Sequence, residues 1–89
     1  MPMSTPDPTA ATPSAVLAGV AQVVHLVTEL PTDEVRPDRA FVDDLQVDSL
    51  AMVEILEGTA QHFGVRIEDE ATRDLVRVGD LVDHVVALT

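Results

Sequence analysis

The residue types that bear most directly on chemistry in this chain of 89 residues are those of the tripeptide Asp48-Ser49-Leu50. It joins an acidic loop to the first turn of an apolar-periodic helix. A serine hydroxyl there is exposed at the positive end of a helix dipole, where unpaired N–H groups favour a phosphate. The same position also suits an ordinary helix N-cap, because Ser and Asp are among the best capping residues. The tripeptide by itself leaves both roles open.

Other chemistries are less well served. A hydrolytic serine needs a base and an oxyanion hole. His25, His62 and His84 are scattered over three helical segments, and none is near Ser49 in sequence. There is no Gly-rich phosphate loop, no Cys/His zinc spacing and no His-Glu-x-x-His. The window Asp43 to Glu54 starts and ends like a calcium loop, but Leu45 and Val47 occupy ligand positions and Asp48 replaces the required glycine. No metal site and no catalytic residue is expected. The chain has no cysteine, hence no disulfide and no thiolate of its own.

The elements that must position Ser49 are helical. Val16, Val20, Val23, Val24, Val27 and Leu30 make one apolar stripe from Ala15 to Leu30, with Ser14 as the expected N-cap and Pro31 as the stop. Residues 31–48 form a long connection anchored by Phe41, Leu45 and Val47; loops of this length in small domains are often functional. Helix two is expected from Ser49 to Phe63, with Leu50, Val53, Ile55 or Leu56, Ala60 and Phe63 apolar and Gly64 as C-cap. Val65-Arg66-Ile67 is an extended link. Glu68-Asp69-Glu70 opens a short third helix near 69–75, with acids where the dipole prefers them. Gly79-Asp80 begins a last helix whose apolar residues are Leu81, Val82, Val85, Val86 and Leu88. The expected fold is all-α: a small four-helix bundle with a long loop after helix one and a short third helix. It spans residues 14–89, after a proline-rich tail (1–13) expected to be disordered.

Sixteen acids face five arginines and no lysine, a net charge of −11. That balance disfavours nucleic acid and anionic membrane surfaces and favours partners with basic patches. No segment has the roughly 20 apolar residues needed to span a bilayer. The first residues lack the basic and apolar regions of a secretory signal, so a cytoplasmic monomer is expected.

Outward from Ser49 the chain reads Phe41-x-x-Asp44-Leu45-x-x-Asp48-Ser49-Leu50-x-x-Val53-Glu54-Ile55. Further on come Phe63-Gly64-Val65-Arg66-Ile67-x-Asp69-Glu70 and Val78-Gly79-Asp80-Leu81-Val82. This ordered set, over about residues 14–88, resembles the acyl carrier protein family. The resemblance implies that Ser49 is the attachment point for 4′-phosphopantetheine, transferred from coenzyme A by a phosphopantetheinyl transferase. The reactive thiol would then belong to the arm, and acyl intermediates would ride on it as thioesters. It further implies a docking face of Asp48, Leu50, Val53, Glu54 and Glu57 for the basic patches of acyltransferases, ketosynthases or other acyl-processing enzymes.

The sequence also departs from the family's fatty-acid carriers. Where they usually show an apolar residue and then a leucine in helix two, this chain has Glu57 and Thr59. Ala60-Gln61-His62 replaces an acidic run, and Arg73 and Arg77 add positive charge near the third helix. These differences lean toward a dedicated carrier of a polyketide or related secondary pathway. The alternatives are a carrier of primary fatty-acid synthesis and an aminoacyl or peptidyl carrier. The latter more often has Gly-rich residues where this chain has Gln46-Val47-Asp48. A bundle that binds but never carries an arm is the remaining alternative. Thr59 would suit an acyl chain that bears oxygens.

Overall fold

Pro13 decides where the first helix starts. Its locked φ suits the first helical position and its missing N–H is no loss there. In the computed structural model, which describes residues 12–89, helix α1 runs Pro13–Thr28 and Thr12 is its cap, with Thr12 Oγ1 accepting from the Ala15 N–H at 3.2 Å. The cap is therefore Thr12 and not Ser14. Thr12 and Pro13 belong to the folded unit, and the rest of the expected tail (1–11) lies outside the described residues. At the other end Glu29 takes a left-handed conformation (φ 65°) and returns its N–H to His25 O, so α1 stops before Leu30 and Pro31.

The apolar stripe of α1 is the centre of the core. Val16, Val20, Val23 and Val24 are buried, and α1 packs against both other α-helices. Helix α2 covers Ser49–Phe63 and helix α3 covers Val78–Leu88. Two glycines set the α1–α2 approach. A Cβ on Gly19 would collide with the Phe63 ring, and one on Gly58 would stand 2.9 Å from Val23 Cγ1. Gly64 closes α2 in the left-handed region (φ 65°), a conformation that costs glycine little.

The apolar face of α2 differs from the one read off the sequence. Leu50 and Val53 are exposed (69% and 58%), whereas Ile55 and Thr59 are the buried residues. On α3 the core positions are Val78, Leu81, Val82 and Val85, while Leu88 is largely exposed. Helix α3 starts at Val78, one residue before Gly79, because the Asp80 carboxylate accepts the N–H groups of Arg77 (2.8 Å) and Val76 (3.1 Å).

Residues 31–48 are ordered by burial and by hydrogen bonds. Val35, Phe41, Leu45 and Val47 join the core. Asp44 accepts from the Ala40 N–H at 2.7 Å, and Val47 N–H returns to Phe41 O at 2.8 Å. The segment is then tied to the start of α3 by Phe41 N–H to Val76 O (3.0 Å) and Val78 N–H to Arg39 O (2.9 Å). This tie explains the missing helix. Residues 75–77 must run extended to reach residues 39–41, which leaves only Ala71–Asp74 free to coil. They form a single 3-10 turn closed by Leu75 N–H to Thr72 O, without a side-chain cap from the acids before it. So short a stretch does not repay the cost of nucleating an α-helix. The fold is all-α as expected, but the described residues hold three α-helices and not four. A second 3-10 turn, Thr32–Glu34, lies in the long connection.

Candidate functional site

The first turn of α2 assigns separate tasks to Asp48 and Ser49. Asp48 is the cap: its Oδ1 accepts from the Ala51 N–H at 2.8 Å, and its backbone carbonyl accepts from the Met52 N–H at 2.9 Å. Ser49 is therefore the first helical residue, and its side chain is not needed for capping. Among the described residues no hydrogen bond engages its hydroxyl, and the residue is exposed. The N–H groups of Ser49 and Leu50 likewise have no acceptor among the described residues, since Asp48 serves only the next two. Two free amides at the positive end of the helix suit an anionic oxygen on the Ser49 side chain.

An open apolar groove begins at Ser49. Its walls are Val42, Val47, Asp48, Ser49, Met52, Val53, Leu56 and Thr72, and it measures about 420 Å³. A second hollow shares Val53, Leu56 and Thr72 with it and continues along α2 past Ala60 to Ile67 and Arg66. Val42, Met52 and Thr72 were not singled out in the sequence. For Val42 the available signal was an apolar residue beside the acidic pair Asp43-Asp44; it is 66% exposed.

The outer surface of α2 carries the rest of the candidate residues. Asp48, Leu50, Val53, Glu54 and Glu57 are all exposed. Val53 and Glu57 also line the hollows, so the acidic surface and the apolar groove are contiguous. Asp44, another residue of the sequence pattern, is exposed but spends one carboxylate oxygen on the loop backbone, accepting from the Ala40 N–H.

None of the three histidines shares the groove with Ser49. The His25 ring donates from Nδ1 to Leu30 O at the end of α1 (2.8 Å). His62 stands edge-on to Phe63 at the far end of α2. His84 borders a depression with Asp80 and Asp83 on α3. No group of three metal-ligating side chains converges among the described residues, and no helix there is long and apolar enough to cross a membrane.

With this geometry in place, comparison with known proteins is direct. Residues 18–85 match the family described as phosphopantetheine attachment site. The chain is 43% identical over 74 residues to an acyl carrier protein of Acidothermus cellulolyticus, covering 83% of this chain and 88% of that protein. It is 44% identical over 79 residues to a meromycolate extension acyl carrier protein of Mycolicibacterium smegmatis, covering 89% of this chain and 80% of that one. Its fold is similar to that of an acyl carrier protein from Enterococcus faecalis, with a TM-score of 0.72 at 29% identity, over 88% of this chain and 99% of the other.

Proposed function

The chain belongs to the acyl carrier protein family, and on that premise we propose that Ser49 is the residue that receives the 4′-phosphopantetheine arm of coenzyme A. The chain is a carrier and not an enzyme; a phosphopantetheinyl transferase loads it, and acyl-processing enzymes act on what it carries. Bound to Ser49, the arm would supply the thiol that this cysteine-free sequence lacks, to hold acyl groups as thioesters. The observation that carries the assignment is the division of labour at the helix start: Asp48 caps, so the exposed Ser49 hydroxyl is free. The protein's own contribution is positional. Helix α2 fixes the hydroxyl, the amides of Ser49 and Leu50 offer hydrogen bonds to a phosphodiester, and the groove beside Ser49 offers apolar cover. Incubation with coenzyme A and a broad-specificity transferase, followed by intact mass measurement, tests this. A gain of one phosphopantetheine is expected for the wild type and none for Ser49→Ala. An unchanged wild-type mass with several transferases, or a gain that survives Ser49→Ala, would overturn it.

Asp48, Leu50, Val53, Glu54 and Glu57 form the docking face in this proposal. Exposed acids beside two exposed apolar side chains suit a partner with a basic rim around an apolar patch. Such contacts are small and salt-sensitive, as a carrier that must leave each enzyme requires.

The pathway proposed is a dedicated one, of polyketide or related secondary-metabolite type. Its support is Thr59, a polar residue in the core of the carrier helix, together with the acid Glu57 on the groove. A second proposal, extension of fatty chains, is favoured by the names of the relatives called meromycolate extension acyl carrier protein. Turnover of the loaded protein by a ketosynthase of each type separates the two.

A further inference from the structure

Leu26 is the most exposed large apolar side chain among the described residues, at 77%. It stands on the last turn of α1 and takes no part in the core. A lone leucine on a surface needs no explanation. What Leu26 stands beside is therefore the deciding matter.

The glycine contacts fix the register of α1 against α2. Gly19 faces Phe63 and His62, and Gly58 faces Val23. The two helices are thus antiparallel, and each step forward on α1 is a step back toward Ser49 on α2. Leu26 and Val27 come three and four residues after Val23; Ile55 and Glu54 come three and four before Gly58. The inner pair is Val27 with Ile55, partly and fully buried. The outer pair is Leu26 with Glu54, both exposed. At about 100° per residue, Leu26 lies within about 20° of the direction of Gly19, and Glu54 within about 40° of that of Gly58. Both therefore stand on the flank where the helices meet. Gly58, half-exposed there, has no side chain to cover Leu26. Leu50 is one turn further along α2 from Glu54, so the carboxylate of Glu54 is flanked by two exposed leucines.

The same end of α2 carries Ser49, about 7.5 Å along the axis from Glu54. Even a transient interface covers on the order of 500 Å² a side, a patch about 25 Å across. Enzymes that act on a carried group reach it through the arm. The transferase must take the Ser49 hydroxyl itself into its active site, so its contact surface has to close around this end of the molecule.

We propose that Leu26 extends the docking face from α2 onto α1, where it fills an apolar pocket of the phosphopantetheinyl transferase beside the basic group that meets Glu54. The inference rests on Ser49 as the loaded residue and on α2 as the docking face. Leu26 acts by giving up apolar surface to the partner, which salt does not screen, whereas the acids act through charge, which salt does screen.

The test follows loading of the full chain by a transferase with coenzyme A, at low and at high salt. Leu26→Gln keeps a good helix former and removes the apolar surface. Its KM is expected to rise about tenfold, the scale of losing most of one leucine's burial, with kcat unchanged and the same factor at both salts. Leu26→Met should load like the wild type, and so should Leu88→Gln, which alters an exposed leucine on α3. An unchanged KM in Leu26→Gln, an equal rise in Leu88→Gln, or a rise that disappears at high salt overturns the proposal. If Leu26→Gln does not fold, methyl spectra of the wild type decide. Titration with the transferase should shift the Leu26 methyls and leave those of Leu88 in place; unshifted Leu26 methyls overturn the proposal. A wild type that gains no phosphopantetheine would overturn the Ser49 assignment instead, and normal loading of Glu54→Lys at low salt would overturn the α2 face, so the failures are distinct.

Discussion

Asp48 closes the first turn of α2 through a 2.8 Å bond to the Ala51 N–H, and that bond is what leaves the adjacent Ser49 hydroxyl free. Charge and cap at position 48 can be separated. Asp48→Asn keeps a capping oxygen, and Asn and Asp cap about equally well, so unfolding should be nearly unchanged. Asp48→Ala removes the cap and is expected to cost about 1 kcal/mol. For a domain of this size that lowers the melting temperature by about 4–8 °C. Thermal unfolding of both variants checks this. Equal losses in the two would mean that charge, and not the cap, stabilises the turn.

The N-terminal boundary and the face of α2 show what the sequence could and could not reveal. The stripe of α1 was legible because its period has one helical solution: Val16, Val20, Val23 and Val24 are buried, Val27 is partly buried, and Leu30, also partly buried, lies past the end of the helix. The cap was displaced by two residues because Pro13 reads equally as the end of a tail or the first residue of a helix. On α2 the apolar residues are spread over more than one face. Leu50 and Val53, read both as part of the apolar face and as docking residues, are exposed, and Thr59 is core despite its hydroxyl. The third helix was misread for another reason. Its fate depends on residues 39–41 pairing with 76–78, a contact that no local pattern encodes. The candidate site was more legible than the fold, since Ser49 and its acidic neighbours are adjacent in sequence. The groove wall contributed by Val42 and Thr72 was not, because it is assembled from distant segments.

Gly19 reports on the α1–α2 crossing. Alanine at this buried helical position gains about 1 kcal/mol of helix propensity. The added Cβ must displace the Phe63 ring, with His62 Nε2 also at 3.0 Å, and overpacking of this kind costs about 1–3 kcal/mol. Gly19→Ala should therefore be destabilised by on the order of 1 kcal/mol, seen as a lower denaturant midpoint. A raised midpoint would show that the helices can separate without loss.

The acids leave the fold sensitive to ionic strength. Among the described residues one ion pair forms, Arg66 Nε to Glu68 Oε1 at 3.1 Å, and both side chains are largely exposed. The net charge of −11 is thus opposed by little local pairing. Raising salt from about 0.01 M to about 0.15 M shortens the screening length from about 30 Å to about 8 Å. Repulsion within the folded state falls accordingly, so the melting temperature should rise across that range. A flat or falling dependence would count against self-repulsion.

If α2 is the docking face, reversing its charge should slow loading and leave the fold alone. Glu54 and Glu57 are exposed, so Glu54→Lys and Glu57→Lys should unfold close to the wild-type temperature. Their kcat/KM with a phosphopantetheinyl transferase is expected to fall roughly tenfold at low salt, because steering is lost. Variant and wild type should converge as salt is added. A defect that is independent of salt would point to a damaged contact and not to steering.

Thr59 gives a prediction for the core itself. Its hydroxyl is buried and unpaired, and such a group carries a desolvation penalty of about 1–3 kcal/mol. Valine has nearly the same shape, is equally β-branched, and replaces the hydroxyl by a methyl that the surrounding core accepts. The lost polar penalty and the gained apolar contact act in the same direction, and the lower helix propensity shared by both residues cancels. Thr59→Val without an arm should therefore be more stable than the wild type by about 1 kcal/mol, or about 4–8 °C in melting temperature. Thr59→Ala, which opens a cavity as it removes the hydroxyl, should be less stable than Thr59→Val. A valine variant less stable than wild type would mean that the hydroxyl is already satisfied in the free protein, and Thr59 would then be an ordinary structural residue.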